Sequence, residues 1–463
     1  MADVASRGGG ASPTSRSGRR TARRKLRKSE VGFAVALPAL VFACHMSFGA
    51  ARIAVSLIYV AVFAALLIAI LATSWARKDL RLAPLALPAA LFSAVIAAAL
   101  WALTPLTPEG PNPLWAYAPR AFGSVVDVSN LTIELIKLGG LACVFVAAYL
   151  IGADSQRARL AFQALVVLSI LYGLWAALAH IVEPRYVLGV GKRYAANRLT
   201  GSFLSPNTAA TLLGASLVLV LAQLLARWRA AGRAPAEILL RRIGFLGAGT
   251  VAIVTALLLT QSRAGIAATV VGLAVALALH AFQGRWSWRW GGGLLLLAVV
   301  IGLGPLVVRA GQGAYARLEN LSQDAAGRQA IFAAHWDAYQ TAPWFGYGLG
   351  SFDRINQMIM TPSNYGLLFD VHALHNVYIQ WLEEAGAVGA GSMFLTIAAI
   401  LVLIGRGAVA REDQSVVARG ALAASVVILV HGLSDFALQV PSMPIYWACL
   451  LGLAFGRVRG RRA

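Results

Sequence analysis

The sequence predicts an all-α membrane protein that crosses the bilayer about twelve times and carries one long external loop with short helices in it. Three observations predict it. Hydrophobic residues make up 59% of the 463-residue chain and charged ones only 13%, about half the charged share of a soluble globular domain. Mean hydropathy is +0.70. The apolar residues gather in unbroken runs, as at 53 to 74, 160 to 181 and 207 to 226, each near the roughly 20 residues that span a bilayer as helix. A soluble enzyme with one core is excluded, and so is a membrane barrel, whose strands alternate every second residue.

The first 30 residues hold nine Lys or Arg among Gly, Ser and Thr, which predicts a disordered basic tail on the cytoplasmic side. A cleaved signal peptide fits poorly, because many apolar runs follow the first. Residues 31 to 308 then hold nine predicted spans, at about 31 to 49, 53 to 74, 84 to 104, 131 to 151, 160 to 181, 207 to 226, 243 to 261, 264 to 282 and 291 to 308. A loop over 309 to 376 follows, then spans at 377 to 404, 419 to 438 and 441 to 456, and a basic tail over 457 to 463. With the first tail inside, the inside segments carry 28 of the 40 Lys and Arg. Every short inside loop then obeys the positive-inside rule, and both termini lie in the cytoplasm. The net charge of +21 encodes topology rather than a nucleic-acid surface. Cys44, Cys143 and Cys449 sit singly inside apolar runs, a pattern that predicts neither disulfides nor zinc.

Three outer segments are long, 105 to 130, 182 to 206 and 309 to 376, and function is expected there. In the last, Ile331, Phe332, Trp336 and Tyr339 can share one face of a helix beginning near Gly327. Arg328 opens that helix, Arg263 ends the LTQSR run of 259 to 263 between two spans, and Arg198 lies just before the helix start at Pro206 and Asn207. Each alone fits a snorkelling or solvated arginine. Three at the outer mouth of an apolar bundle point instead to an anion site, since a guanidinium presents a planar fork to phosphate oxygens. His372 and His375, three apart, would share a face if residues 372 to 384 were helical. A histidine there could take a proton from a hydroxyl, or pack with a hydrogen bond to a neighbouring carbonyl.

The remaining polar residues read as structural. Gly346, Gly348 and Gly350 alternate with bulky residues as a turn whose amides could approach a ligand, not as a dinucleotide fingerprint. Glu134 and Lys137 read as an intrahelical pair facing the interior, and Glu383 and Glu384 as helix-end charges. His431 and Asp435, four apart in the eleventh span, read as a buried pair or as lining of the cleft. No HExxH and no outer DxD pair occurs, so a metal or cofactor finds no support.

The runs LTQSRAG at 259 to 265, GRQAIFAAHWDAYQTAPWFGYGLGSF at 327 to 352, HALHNVYIQWLEEAGAVG at 372 to 389 and HGLSDFALQVPSMP at 431 to 444 resemble the O-antigen ligase and polymerase superfamily. The resemblance covers the chain from about 198 onward. It implies a metal-independent glycosyltransferase of the bacterial inner membrane that moves a glycan from undecaprenyl diphosphate to an acceptor hydroxyl on the periplasmic side. It further implies that His375 matches the family's essential histidine, Arg263 the arginine of its SR motif, Arg328 the arginine of its loop helix, and Arg198 an arginine of the preceding outer loop. His372, Asn376 and Asp435 are candidates for supporting roles. A ligase acting on lipid A core, a polymerase of lipid-linked repeat units for O-antigen, capsule or exopolysaccharide, and a protein O-glycosylating enzyme would share the donor and differ in acceptor. A transporter would instead show an internal repeat with broken helices in matching places, and no convincing repeat is seen.

Overall fold

The computed structural model describes residues 25 to 117, 122 to 232, 235 to 281, 314 to 409 and 415 to 459. Among them the chain is helical apart from a short hairpin, Tyr186–Val187 with Val190–Gly191. The helices are α1 (Lys28–Met46), α2 (Ile53–Leu71), α3 (Ser74–Asp79), α4 (Ala86–Trp101), α5 (Val128–Gly152), α6 (Ser155–Val182), α7 (Pro206–Ala231), α8 (Ala236–Leu259), α9 (Arg263–Ala281), α10 (Ala314–Thr341), α11 (Phe352–Met358), α12 (Tyr365–Leu368), α13 (Val377–Val409), α14 (Ser415–His431) and α15 (Ser442–Arg459). Among the described residues eight helices are long and apolar enough to cross a membrane, and shorter apolar stretches lie at Ile243–Leu259 and Val416–His431. A helix therefore underlies eleven of the twelve predicted spans. The ninth, 291 to 308, and most of the predicted basic tail lie outside the described residues.

Local chemistry starts the helices where expected. Asp127, Asp154 and Ser205 accept the free backbone N–H groups at the starts of α5, α6 and α7, and Pro206 takes the first position of α7, where no N–H is needed. α7 is buried on every side from Thr208 through Gln223, the pattern of a central helix, and α6, α8, α9 and α14 pack around it.

α5 and α15 approach through glycines. A Cβ on Gly452 would fall on the Phe145 carbonyl oxygen, and one on Gly456 on that of Tyr149. In lipid, where there is no hydrophobic drive between helices, such small residues let backbones pack tightly. Gly456→Leu is expected to cost about 1–3 kcal/mol or more and to lower the thermal midpoint in detergent. Gly139→Leu, at a position with open space around it, should leave the midpoint unchanged.

Arg157, which falls between the spans predicted at 131 to 151 and 160 to 181, is fully buried. Its guanidinium pairs with Glu30 at 3.0 Å and Asp79 at 2.6 Å, donates to the Leu150 carbonyl, and lies 4.1 Å over the Trp75 ring. Those partners tie α1, α3 and α5 together at that end of the bundle.

The long loop predicted over 309 to 376 departs from expectation in three places. Its main helix does not begin at Gly327: α10 starts at Ala314, and Arg328 lies in its middle. Its buried side is marked by His335 and Ala338, with Ala342 just past its end, while Trp336 is exposed, so the predicted apolar face is turned away from the body at Trp336. Residues 372 to 376 are not helical, and α13 begins at Val377.

Gly346, Gly348 and Gly350 do form a turn, all with φ between 68° and 98°, and its partner is a break in α13 at Gly386 (φ 62°, ψ 179°). The break frees backbone groups that a continuous helix would pair. The turn satisfies them: Tyr347 N–H donates to the Glu383 carbonyl, Gly348 N–H to that of Glu384, and the Ala387 and Val388 N–H groups donate to the Pro343 and Trp344 carbonyls, all within 2.8–3.0 Å.

Candidate functional site

Three chain reversals at one end of the bundle bring the predicted residues together. Each carries a non-glycine residue in the left-handed region: Ala195, three before Arg198; Gln261, two before Arg263; and His375 itself, at φ 55°. Such conformations cost of order 1–3 kcal/mol and persist where surrounding structure imposes them.

Arg198 sits in the loop between α6 and α7. Its Nε donates to the Thr260 carbonyl at 3.0 Å and its Nη2 to that of Gln261 at 3.3 Å, which places it against the C-terminal end of α8. Burial, and then the neighbouring charges of Arg328 and Arg263, lower its pKa from the ordinary guanidinium range. That repulsion places the three arginines in one electrostatic neighbourhood. Arg263 is exposed at the first turn of α9. Ser262 Oγ accepts the Gly265 N–H at 3.3 Å, and Gly265 lets α9 close on Ala210 and the His431 ring. Arg263 thus stands at the N-terminal end of a helix, where the helix dipole favours anions. Arg328 reaches back from α10, its Nη1 3.4 Å from the Ser434 carbonyl. None of the three arginines forms an ion pair among the described residues.

His375 precedes α13. Its Nδ1 lies 3.8 Å from Asp435 Oδ1, its ring meets Phe436 edge-on at 4.8 Å, and its side chain is 33% exposed. Nδ1 itself is buried, so the exposed part of the ring includes the side opposite Asp435. Asn376 caps α13, its Oδ1 accepting the Tyr378 and Ile379 N–H groups at 3.0 and 3.2 Å. The Val377 N–H donates to the Gly432 carbonyl and the Tyr378 hydroxyl to that of Leu429, which seats this helix start on the end of α14.

Asp435 is not in the eleventh span: α14 ends at His431, and Asp435 lies in the turn beyond it. It is fully buried with neither carboxylate oxygen hydrogen-bonded among the described residues. His431 instead bonds Thr211 Oγ1 at 2.7 Å. The two residues are therefore not a hydrogen-bonded pair.

His372 stays apart from this cluster. Highly exposed, it faces Asp353 at 3.4 Å and Asp370 at 3.9 Å, and Asp370 accepts the Tyr194 hydroxyl. Lys137 and Glu134 pair with each other at 2.5 Å. Glu383 and Glu384 are not helix-end charges. Both are buried: Glu383 bonds His335 at 2.8 Å, and Glu384 accepts Gln380 Nε2 at 2.9 Å and the Gly350 N–H at 2.8 Å. Two adjacent carboxylates followed by Ala-Gly at the start of an apolar run were the only signal that could have flagged them.

No curated protein matches the chain. Residues 248–394 match the family described as O-antigen ligase, a stretch that includes Arg263, Arg328 and His375 and excludes Arg198 and Asp435. Over those residues the chain is similar to the O-antigen ligase family, which supports a membrane enzyme of the O-antigen ligase or polymerase type.

Proposed function

We propose that the chain transfers a glycan from undecaprenyl diphosphate to an acceptor hydroxyl, on lipid A core or a similar glycan, at the periplasmic face of the inner membrane. The observation that carries this reading is the meeting of Arg198, Arg263 and Arg328 beside a one-third-exposed histidine with a buried carboxylate behind it. Arg263 and Arg328 hold the diphosphate and Arg198 assists. The acceptor oxygen attacks the anomeric carbon while the carbon–oxygen bond to the diphosphate breaks on the opposite face, so configuration inverts. The hydroxyl proton passes to the exposed ring nitrogen of His375. Asp435 then stabilises the imidazolium from the Nδ1 side, as a buried carboxylate does in other histidine-based sites. At 3.8 Å the two groups are beyond hydrogen-bond distance, and the contact closes as the imidazolium forms. The leaving diphosphate carries the bonding electrons away, and the guanidinium groups stabilise that charge as it develops. At the end of α6 from which the Arg198 loop departs, Leu171, Leu174, Trp175, Leu178, Ala179 and Val182 line an open apolar groove suited to a polyprenyl tail.

The test is glycan analysis of a deletion strain, separating lipid A species from undecaprenyl-linked ones, with rescue by the wild-type gene. Long chains stranded on undecaprenyl beside bare lipid A core are the expected result. Single repeat units reaching their final acceptor without elongation would assign a polymerase instead, and unchanged glycans would overturn the reading.

A further inference from the structure

The proposed reaction needs Arg328, yet Arg328 rides on a helix that meets the bundle chiefly through α13. The described anchor of α10 lies further along it. His335 and Glu383 are both fully buried, with Nδ1 and Oε1 2.8 Å apart, and the imidazole stacks on Phe352 with centroids 4.8 Å apart and planes 15° from parallel. One and two turns on, Ala338 and Ala342 bury against Val126, Tyr347 and Ile355, and the Tyr347 hydroxyl donates to the Ala338 carbonyl at 3.2 Å.

We propose that the His335–Glu383 pair is a positioning device that sets the rotation and axial register of α10 and so delivers Arg328 to the arginine cluster; this rests on the function proposed above. Alanines against Val126, Tyr347 and Ile355 make no directional contact and tolerate sliding and turning. A directional hydrogen bond between two buried polar groups does not, because any displacement leaves both desolvated and unpaired. Arg328 lies seven residues before His335, two turns back on the same side and about 10.5 Å along the axis. A slip of one residue at the anchor would turn Arg328 by about 100° and carry it off the Ser434 carbonyl.

Glu383 is fixed in turn. Its carbonyl accepts the Tyr347 N–H three residues before the Gly386 break, and its helix begins two residues after His375. The pair therefore ties the helix bearing a diphosphate-binding arginine to the helix that starts at the base. A buried polar pair is seldom the most stable filling for such a space, since apolar residues of similar volume often do as well or better. Register is the attested use of such pairs.

The experiment uses the full chain in nanodiscs and two readouts. The first is cross-linking of Arg328→Cys with Ser434→Cys by a short bifunctional thiol reagent, with Cys44, Cys143 and Cys449 replaced by alanine. The second, with Arg328 intact, is transfer kinetics with a lipid-diphosphate-linked glycan purified from the deletion strain. His335→Leu/Glu383→Leu is expected to keep a near wild-type thermal midpoint, lose cross-linking several-fold and raise donor KM at least tenfold. Glu383→Gln, which keeps an acceptor for Nδ1–H, is expected to restore both readouts relative to Glu383→Leu. Wild-type cross-linking and donor KM in the double leucine variant would overturn the proposal and leave only a packing role. If that variant does not fold, His335→Phe, which keeps the stack on Phe352 and removes the donor, is read by the same two outcomes. Should the wild type transfer nothing, the function fails, and cross-linking still decides the role of the pair.

Discussion

His375→Asn is expected to lower the transfer rate by about 10² to 10⁴ at saturating donor and acceptor, the range supplied by a positioned general base. Asparagine is the informative replacement because His375 sits at φ 55°, a region asparagine tolerates better than most residues. The turn into α13 is held by the Asn376 cap and by the bond from Val377 N–H to Gly432, neither of which uses the imidazole. Fold and donor binding should therefore survive while proton removal fails. Asp435→Asn should act through the histidine, with a loss smaller than that at His375 because the base itself remains. Transfer within about tenfold of wild type for His375→Asn would remove this residue from the base role.

The fold class could be read from the sequence because in lipid one pattern decides it. Long apolar runs with basic residues at alternate ends leave only helices as the spanning structure. Arg263, Arg328 and His375 could be singled out because each is a polar residue placed where an apolar bundle meets a long polar loop. What escaped was pairing across elements. Arg157 reads as a loop charge until Glu30 and Asp79 are seen to surround it, and both lie more than seventy residues away in sequence. Glu383 and Glu384 read as surface charges because nothing in QWLEEAG announces that the PWFGYGLG turn will dock into a break at Gly386 and bury them. Residues 372 to 376 have helical spacing but not helical conformation, because the left-handed step at His375 lets Asn376 act as a cap instead of an interior residue.

Arg263→Ala and Arg328→Ala are each expected to lower kcat/KM for the lipid-linked donor by about 10² to 10³, the loss seen when one group that stabilises a developing anion is removed. The lysine variants should recover only part of this, since lysine restores a point charge but not the fork that engages two phosphate oxygens. Arg198→Ala should cost about tenfold, less than the others, because Nε and Nη2 of Arg198 are already committed to the Thr260 and Gln261 carbonyls. Stability should move the other way. With no anion bound, three like charges share one mouth without an ion pair among the described residues, and the charges of Arg328 and Arg263 add to burial in lowering the Arg198 pKa. Removing either neighbour relieves that repulsion, so the thermal midpoint of Arg263→Ala or Arg328→Ala should stay level or rise as activity falls. Added inorganic pyrophosphate should raise the wild-type midpoint, and should do so less in either variant, because an anion that binds only the folded state stabilises it by mass action. A midpoint that falls in step with activity would mean that these arginines hold the fold together and that the diphosphate is bound elsewhere.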